Sequence, residues 1–234
     1  MSLAKKIEVF INLFFAEGGW KRVVLEGLRN TLLIAIIGLF IGIVIGTLIA
    51  IVRVMPKYKV LPRILNGICS VYVGFFRGTP IVVQLLITYY VLFPLMGISI
   101  SSLATCIIVF GFNSGAYVSE IMRGGINSVD KGQLEAGRAL GLGFAPAMLK
   151  IVVPQAVKNI LPTLGNEFIA LVKDTSVVSF VAAVDLYKTF TEIGNVRYEY
   201  MVPYFAMAIM YIVLVMLITL GIKLIERRLA KNER

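Results

Sequence analysis

The residues best suited to bind a charged ligand lie inside an apolar stretch between residues 154 and 183. Glu167 stands near its middle, with Thr163 four residues before it and Asp174 seven after it, close to one face of a regular helix. A carboxylate in apolar surroundings is costly, so a functional role is the first hypothesis for it. Its chemistry suits an ammonium or guanidinium group. The alternative is a structural ion pair or a hydrogen bond between helices.

A second polar stripe precedes this one in the chain. Asn113, Tyr117 and Glu120 follow one another at i, i+4 and i+7, so they share a helix face. Asn113 suits either a ligand or a bond across helices. Glu120 lies three residues before Arg123, which favours a structural ion pair over a ligand contact.

These stripes and two further segments define the predicted ligand site. Its candidates share a polar side chain within an apolar segment: Glu167, Asn166, Asn113, Thr79, Gln84, Asp174, Thr175, Ser176 and Tyr117. Donors such as Asn and Thr suit a ligand carboxylate, as do backbone amides at breaks near Thr79 and Thr175. Neither a metal site nor a catalytic residue is predicted, because the chain has no histidine and its two cysteines lie in separate apolar runs.

The composition identifies the elements that must position these groups. Hydrophobic residues make up 59% of the 234-residue chain, charged residues 15%, and the mean hydropathy is +0.89. A soluble domain averages about 25% charged residues. The chain is therefore predicted to be an all-α integral membrane protein with about five transmembrane helices.

Uncharged runs place these helices along the chain. The predicted spans are residues 31–52, 63–93, 103–122, 154–183 and 201–222. The second is expected to break at Arg77-Gly78-Thr79-Pro80, because proline lacks an amide donor and disfavours helix before it. The fourth is expected to break near Lys173, where Asp174-Thr175-Ser176 is typical of a helix start. Gly38, Gly42 and Gly46 in the first span predict close helix packing.

The distribution of basic residues predicts an orientation. Most Lys and Arg residues fall in the loops after spans one and three and in the C-terminal tail, so these are assigned to the cytoplasm. The N-terminus is then outside and the C-terminus inside. Residues 1–27 form a predicted surface segment, with a helix over 3–15 on the membrane. Residues 28–228 form the membrane domain, with a cytoplasmic loop at about 124–153, and residues 229–234 the tail.

That loop contains a predicted short helix. Leu134, Arg138 and Leu142 lie at i, i+4 and i+8, Ala136 and Ala139 keep the helix slim, and the glycines at 141 and 143 end it. Such a helix is suited to dock into a groove of another protein. Without further information, an ordinary amphipathic loop helix would be the simpler interpretation.

The spacing of the loop favours docking. The run Glu135-Ala136-Gly137-Arg138-Ala139-Leu140-Gly141 is followed, nine residues on, by Ile151-Val152-Val153-Pro154. This resembles the EAA loop of binding-protein-dependent ABC importer permeases, which reads EAA, three residues, G, nine residues, I, any residue, LP. Gly137 and Val153 depart from it, and both are small or apolar.

Further segments resemble one branch of these permeases, the polar amino acid permeases. They are the RGTP run at 77–80, the segment from Glu120 to Gln133, and the segment from Leu161 to Ser176. The resemblance covers about residues 28–228. It implies a subunit of an ATP-driven importer for polar amino acids, with basic ones as one case, in a bacterial inner membrane. Whether the permease pair is homomeric, and which amino acid it transports, stay open.

The resemblance also implies the partners. These are a second permease subunit, two cytoplasmic ATPase subunits and an extracytoplasmic amino-acid-binding protein, with no nucleic acid. The ATPase-coupling residues would be Leu134, Glu135, Ala136, Gly137, Arg138, Ala139, Leu140 and Gly141. The chain has no Gly-Lys dipeptide and so no phosphate-binding P-loop. No cofactor is expected on this chain, and ATP and Mg would bind the ATPase subunits.

Two other functions are compatible with a membrane carboxylate. A stand-alone secondary transporter or channel could use the membrane carboxylates for ions or protons, although five spans, the lack of a visible inverted repeat and the spacing of the docking loop count against it. A membrane-embedded enzyme is disfavoured, because histidine, paired metal ligands and a nucleophile elbow are all absent from the sequence.

Overall fold

The computed structural model describes residues 1–56, 58 and 60–231, and the regular structure in these residues is helical. The α-helices are α1 (Leu3–Ile11), α2 (Gly19–Arg22), α3 (Arg29–Val54), α4 (Val60–Gly78), α5 (Ile81–Ile87), α6 (Phe93–Leu95), α7 (Ser102–Asn127), α8 (Lys131–Ala139), α9 (Phe144–Ala147), α10 (Val153–Asp174), α11 (Leu186–Arg197) and α12 (Met201–Lys231). Lys57, Lys59 and the last three residues of the predicted tail lie outside the described residues.

Short π-helical and 3-10 segments join several of these helices. The π-helical segments are Asn12–Ala16, Val23–Leu28, Thr88–Leu92 and Met148–Val152, and the 3-10 segment is Thr175–Val181. The helix predicted over residues 3–15 is confirmed as α1 and the π segment that follows it. Its position on the membrane surface stays a prediction.

Three helical runs are long and apolar enough to cross a membrane: Gly19–Val54, Ser102–Asn127 and Met201–Arg228. The pair Val60–Gly78 and Ile81–Leu95 qualifies jointly as a fourth, broken span. The predicted first, second, third and fifth spans are thus all helical. α10 forms where the fourth span was predicted. Judged on the described residues, it is not among the helices that are both long and apolar enough to cross a membrane. Its charged and amide side chains lower its hydropathy.

The predicted break in the second span is confirmed. α4 ends at Gly78, Pro80 is extended with φ −64° and ψ 137°, and α5 begins at Ile81. The Thr79 hydroxyl donates to the Phe75 carbonyl at 2.8 Å, which closes the last turn of α4. Proline at this position has no amide to continue the α4 ladder, so the chain must start a new helix.

A second break follows α10. The α-helix ends at Asp174, and the 3-10 segment Thr175–Val181 continues from it. The predicted change of helix near Lys173 is therefore present. Asp174 does not cap the new segment with its side chain, and its backbone stays in the right-handed helical region.

The described helices divide into two compact units. The first unit comprises Met1–Gly38, Pro80–Phe110 and Ile169–Ile218, and the second comprises Leu39–Thr79, Gly111–Phe168 and Thr219–Arg234. The helices α3, α7, α10 and α12 each contribute residues to both units.

In the first unit the N-terminal segment packs on α11. Their shared core consists of five buried side chains: Leu13, Val23, Leu186, Phe190 and Ile193. Two ion pairs flank it. The Lys6 ammonium lies 2.8 Å from the Glu199 carboxylate, and the Arg22 guanidinium lies 3.0 Å from that of Glu192. The Lys6 partner lowers the pKa of Glu199 below its ordinary value.

Asp185 begins α11 from a buried position outside the apolar spans. Its carboxylate accepts hydrogen bonds from the amides of Tyr187 at 3.1 Å and Lys188 at 2.9 Å. These bonds satisfy two of the amides that a helix start leaves without partners. Burial nevertheless raises the pKa of Asp185 from its ordinary 3.8 to about 6, because an ionised carboxylate is poorly solvated there.

This burial predicts a pH-dependent stability. The pKa of Asp185 is higher in the folded chain than in the unfolded chain. Between about pH 4 and about pH 6, the folded chain therefore keeps a proton on Asp185 that the unfolded chain has lost. Stability should therefore fall as pH rises from about 4 to about 6 and then level off. Asp185→Asn should remove that slope, because asparagine caps a helix without ionising. Thermal unfolding in detergent across this range measures it. Asp130→Asn, the same change at an exposed cap, is the control that should keep the slope. An unchanged slope in Asp185→Asn would contradict the assignment.

In the second unit α3 and α7 contact each other through glycines on both helices. A Cβ atom at Gly42 would lie 2.6 Å from the Ser114 hydroxyl, and one at Gly46 would lie 2.8 Å from the Ser119 backbone nitrogen. In the other direction, a Cβ atom at Gly111 would lie 2.7 Å from Ile41. Gly115 lies as closely against Ile45. These four glycines form what we call the glycine seam, which confirms the packing predicted for Gly42 and Gly46.

Gly46→Ala is expected to destabilise the protein by about 1–3 kcal/mol, because the added methyl group meets backbone and the helices must separate. Its lower thermal unfolding midpoint in detergent would measure the effect. Gly221→Ala is the matched control, because a Cβ atom on this α12 glycine would meet nothing within 4 Å. Equal midpoints for the two variants would show that the seam adds no stability.

Candidate functional site

The second unit holds Glu167 at a helix contact. The Ser114 hydroxyl on α7 donates to a Glu167 carboxylate oxygen on α10 at 3.2 Å. Ser114 is fully buried, and it is the residue that fills the space beside Gly42. Glu167 itself is half-buried. The carboxylate is therefore held at a defined place by α7, on a residue that is not fully buried.

Asn113 and Tyr72 join α4 to α7 in the same unit. The Asn113 amide donates to the Phe76 carbonyl at 3.4 Å, and the Tyr72 hydroxyl donates to the Phe112 carbonyl. Both acceptors are backbone carbonyls. The interhelical bond considered for Asn113 is thus present, and it orients the helix end that leads to the break at Thr79.

A cavity of about 460 Å³ opens one to two helical turns from these contacts. Its lining is Arg77, Tyr117, Glu120, Ile121, Gly124, Gly125, Ser128, Asn159 and Thr163. The Arg77 guanidinium lies over the Tyr117 ring at 5.4 Å from its centroid. This cation–π contact keeps an exposed cation at the wall of the cavity, where it can pair with an anionic group.

Glu120 is fixed by two arginines. The Arg123 guanidinium donates to one carboxylate oxygen at 2.6 and 3.1 Å, and Arg53 on α3 donates to the other. The ion pair expected with Arg123 is confirmed. Arg53 lies 67 positions away in sequence, so local spacing gave no indication of it.

The predicted ligand-site residues fall in both units. The second unit contains Glu167, Asn166, Asn113, Thr79 and Tyr117, and the first contains Gln84, Asp174, Thr175 and Ser176. Of these nine, Tyr117 lines the cavity described above. Thr175 is fully buried and donates to the Val172 carbonyl at 2.8 Å, whereas Asp174 and Asn166 are exposed. Their role as one ligand site stays a prediction.

Two residues of this region were missed in the sequence. Arg77 belongs to the predicted break and to the RGTP run but not to the predicted ligand site, although an arginine within an apolar segment is itself a signal of function. Ser114 gave no signal, because it follows Asn113 directly. Neighbouring residues on a helix point about 100° apart, so the stripe through Asn113 excludes it.

α8 forms where the docking helix was predicted, and both of its ends are well defined. The Asp130 side chain accepts from the Gly132 amide at 2.6 Å and caps the start. At the end, Gly141 adopts φ +86°, with its amide bound to the Arg138 carbonyl at 3.0 Å. The Leu142 amide bonds to the Gly137 carbonyl at 3.2 Å. This is a Schellman motif, and it needs a glycine at 141 because the left-handed conformation strains other residues.

The two faces of α8 differ. Leu134 is half-buried and packs on a core that includes Met148 and Val152, and Gly137 is buried. The exposed residues between Leu134 and the end of the helix are Glu135, Ala136, Arg138, Ala139 and, at its C-cap, Leu140, which is 85% exposed. A slim exposed face with one protruding leucine is suited to a shallow groove on a partner.

Gly137 is one of the two departures from the family pattern. A Cβ atom here would lie 2.6 Å from the Ile151 side-chain end and 3.4 Å from the Ala147 Cβ. The glycine therefore allows α8 to lie directly on the segment that contains Ile151. Alanine at 137 would require that isoleucine to move.

Comparison with known families identifies the chain. The family model "Binding-protein-dependent transport system inner membrane component" matches residues 38–231. The chain belongs to this family. It is an inner-membrane, multi-pass permease of the amino-acid ABC transporter type and not the catalytic subunit.

Similar curated permeases have several named substrates. The permease is 40% identical over 209 residues to a putative glutamine transport system permease of Rickettsia felis, covering 89% of this chain and 94% of the relative. It is 37% identical over 210 residues to an arginine transport system permease of Bacillus subtilis, with 90% and 94% covered. It is 37% identical over 204 residues to an L-cystine transport system permease of the same organism, with 87% and 85% covered.

Solved structures agree with this assignment. A crystal structure of an amino acid ABC transporter with histidines superposes with a TM-score of 0.82 at 36% identity, covering 92% of this permease and 98% of that chain. An inward-facing structure of the MetNI methionine ABC transporter superposes with a TM-score of 0.73 at 21% identity, with 86% and 94% covered. The second likeness concerns the fold alone.

Proposed function

We propose that this permease transports polar amino acids by ATP-driven alternating access, with ATPase subunits docked on α8. Membership of a binding-protein-dependent family implies an ATPase and a binding protein as partners. The observation that supports the docking site most is the division of α8 into a packed face and an exposed face. Closure of two ATPase subunits would move α8, and α8 would move the helices on which it packs.

The assembly would contain a second permease, identical or closely related, two ATPase subunits and an extracytoplasmic amino-acid-binding protein. ATP and Mg would bind the ATPase subunits, since this chain has no P-loop sequence. No cofactor on the permease itself enters the proposal. The predicted orientation, with N-terminus outside and C-terminus inside, places α8 in the cytoplasm with these subunits.

The substrate would be recognised through groups that all amino acids share. Arg77 offers paired donors to a carboxylate, and Glu167 offers acceptors to an ammonium or a basic side chain. The similar permeases are named for glutamine, arginine and L-cystine, and these amino acids differ in side-chain charge. We therefore propose Glu167 as the residue that decides whether a cationic side chain is accepted.

Reconstitution tests this function. The purified permease alone should neither hydrolyse ATP nor take up amino acids in proteoliposomes. Together with its ATPase and binding protein it should do both, and uptake should stop when the binding protein is omitted. Ion-gradient-driven uptake by the permease alone would overturn the proposal and favour a secondary transporter.

A further inference from the structure

A second polar cavity in the second unit has no role in the transport cycle proposed above. It has a volume of about 430 Å³ and is lined by Arg53, Val54, Asn66, Ser70, Arg123 and Asn127. Five of these six side chains are polar. Ser70 and Asn127 are exposed, so the cavity is open and its polar groups are accessible to a polar ligand.

The charge of this cavity is unbalanced. Arg53 and Arg123 both bind Glu120, so two guanidinium groups share one carboxylate. Each guanidinium has five N–H donors, and one carboxylate cannot accept them all. Across the residues that the structure describes, Glu120 is the one acidic partner that either arginine has. One net positive charge therefore remains among the two arginines of the lining and their shared carboxylate.

The neutral residues of the lining add further donors. The Asn66 and Asn127 side-chain amides also line the cavity, and Asn127 is exposed. The Ser70 hydroxyl donates to the Asn66 backbone carbonyl at 2.8 Å. The cavity thus joins two guanidinium groups to two carboxamides, a donor set that matches the oxygens of a phosphate group.

The position of the cavity along the helices matches a lipid headgroup. Arg53 is the penultimate residue of α3, Asn127 is the last residue of α7, and Asn66 lies in the second turn of α4. All three helix ends belong to the same predicted cytoplasmic side. Basic pockets between transmembrane helices at that level bind anionic headgroups.

We propose that the cavity lined by Arg53, Arg123, Asn66 and Asn127 binds a phosphate group, supplied by an anionic phospholipid of the cytoplasmic leaflet. The ligand chemistry would be the same for free inorganic phosphate, so the experiment must separate the two sources. The site lies apart from Glu167 and α8 in the sequence, and its occupancy can be measured without transport.

Native mass spectrometry of the full permease in detergent provides the test. The chain is titrated with phosphatidylglycerol, with phosphatidylcholine and with inorganic phosphate. We expect one phosphatidylglycerol to bind at least about tenfold more tightly than phosphatidylcholine, because the second lipid carries its own compensating cation. Binding of inorganic phosphate with similar affinity would also support the site and assign a free anion as its ligand.

Arg123→Gln should weaken phosphatidylglycerol binding about tenfold, since it removes the surplus cation while Arg53 still neutralises Glu120. Arg63→Gln is the matched control, because this exposed α4 residue changes the same charge without lining the cavity. Equal binding by both variants would overturn the proposal, as would equal retention of the two lipids by the unmodified permease.

A second variant keeps both arginines and so protects the test against misfolding. Asn66→Asp places a carboxylate in the cavity and should weaken binding to a similar extent. Asn195→Asp adds the same charge on α11, outside the cavity, and should leave binding unchanged. Retained phosphatidylglycerol binding in a folded Asn66→Asp variant would also overturn the site.

Discussion

Replacing Glu167 with glutamine is expected to reduce uptake of arginine and lysine by the assembled importer at least about a hundredfold. A cationic side chain that has left water needs a carboxylate, and a pair broken on one side inside a protein costs about 3–5 kcal/mol. Uptake of glutamine should stay within about threefold, because an amide can still hydrogen-bond a neutral polar substrate. Radiolabelled uptake in proteoliposomes, with each amino acid in turn, measures both effects.

Two variants sharpen this test. Ser114→Ala keeps the charge of Glu167 and removes the hydroxyl that donates to it at 3.2 Å. Its effect on cationic uptake should be smaller, about fivefold, as expected for one hydrogen bond. Glu8→Gln makes the same chemical change at an exposed position of α1 and should have no effect. Unchanged arginine uptake in Glu167→Gln would leave this carboxylate with an interhelical role only.

A charge reversal at Glu135 is expected to lower ATP-driven uptake at least about tenfold without reducing the amount of permease in the membrane. Glu135 is exposed on α8, so lysine there does not bury a charge within the chain. Like-charge contacts at an interface cost several kcal/mol and suppress association. The measurements are uptake, ATP hydrolysis by the assembly, and co-purification of the ATPase subunits.

The end of α8 provides a second way to test coupling. Gly141→Val should lower uptake in the same way, because a β-branched residue at φ +86° strains the Schellman motif and unwinds the last turn. Gly141→Asn is the matched control, since asparagine tolerates the left-handed conformation far better. Full uptake in both Glu135→Lys and Gly141→Val would remove α8 from the coupling mechanism.

Local signals in the sequence predicted most of the helices correctly. Pro80 located the break in the second span, and the glycine at 141 located the end of α8, because each acts through its own backbone. The π-helical segments at Val23–Leu28 and Met148–Val152 were not predicted. They depend on how a helix fits its neighbours, and hydropathy contains no information on that fit.

The candidate site was predicted less completely, because its contacts join distant parts of the chain. Ser114 reaches Glu167 across 53 positions, and Arg53 reaches Glu120 across 67. Helical spacing groups residues along one helix and cannot say which faces meet. For α10, the charged residues that marked it as functional also kept it below the hydropathy of an ordinary span.

The glycine seam restricts where this permease can deform during transport. Each of the two helices packs side chains against glycines of the other, with Ile41 against Gly111 and Ser114 against Gly42. Because side chains of α3 and α7 interlock in this way, the two helices resist sliding along each other. Gating motions must therefore occur at other helix contacts. In natural variants, a larger side chain at one position of the seam should be matched by a smaller one at the facing position.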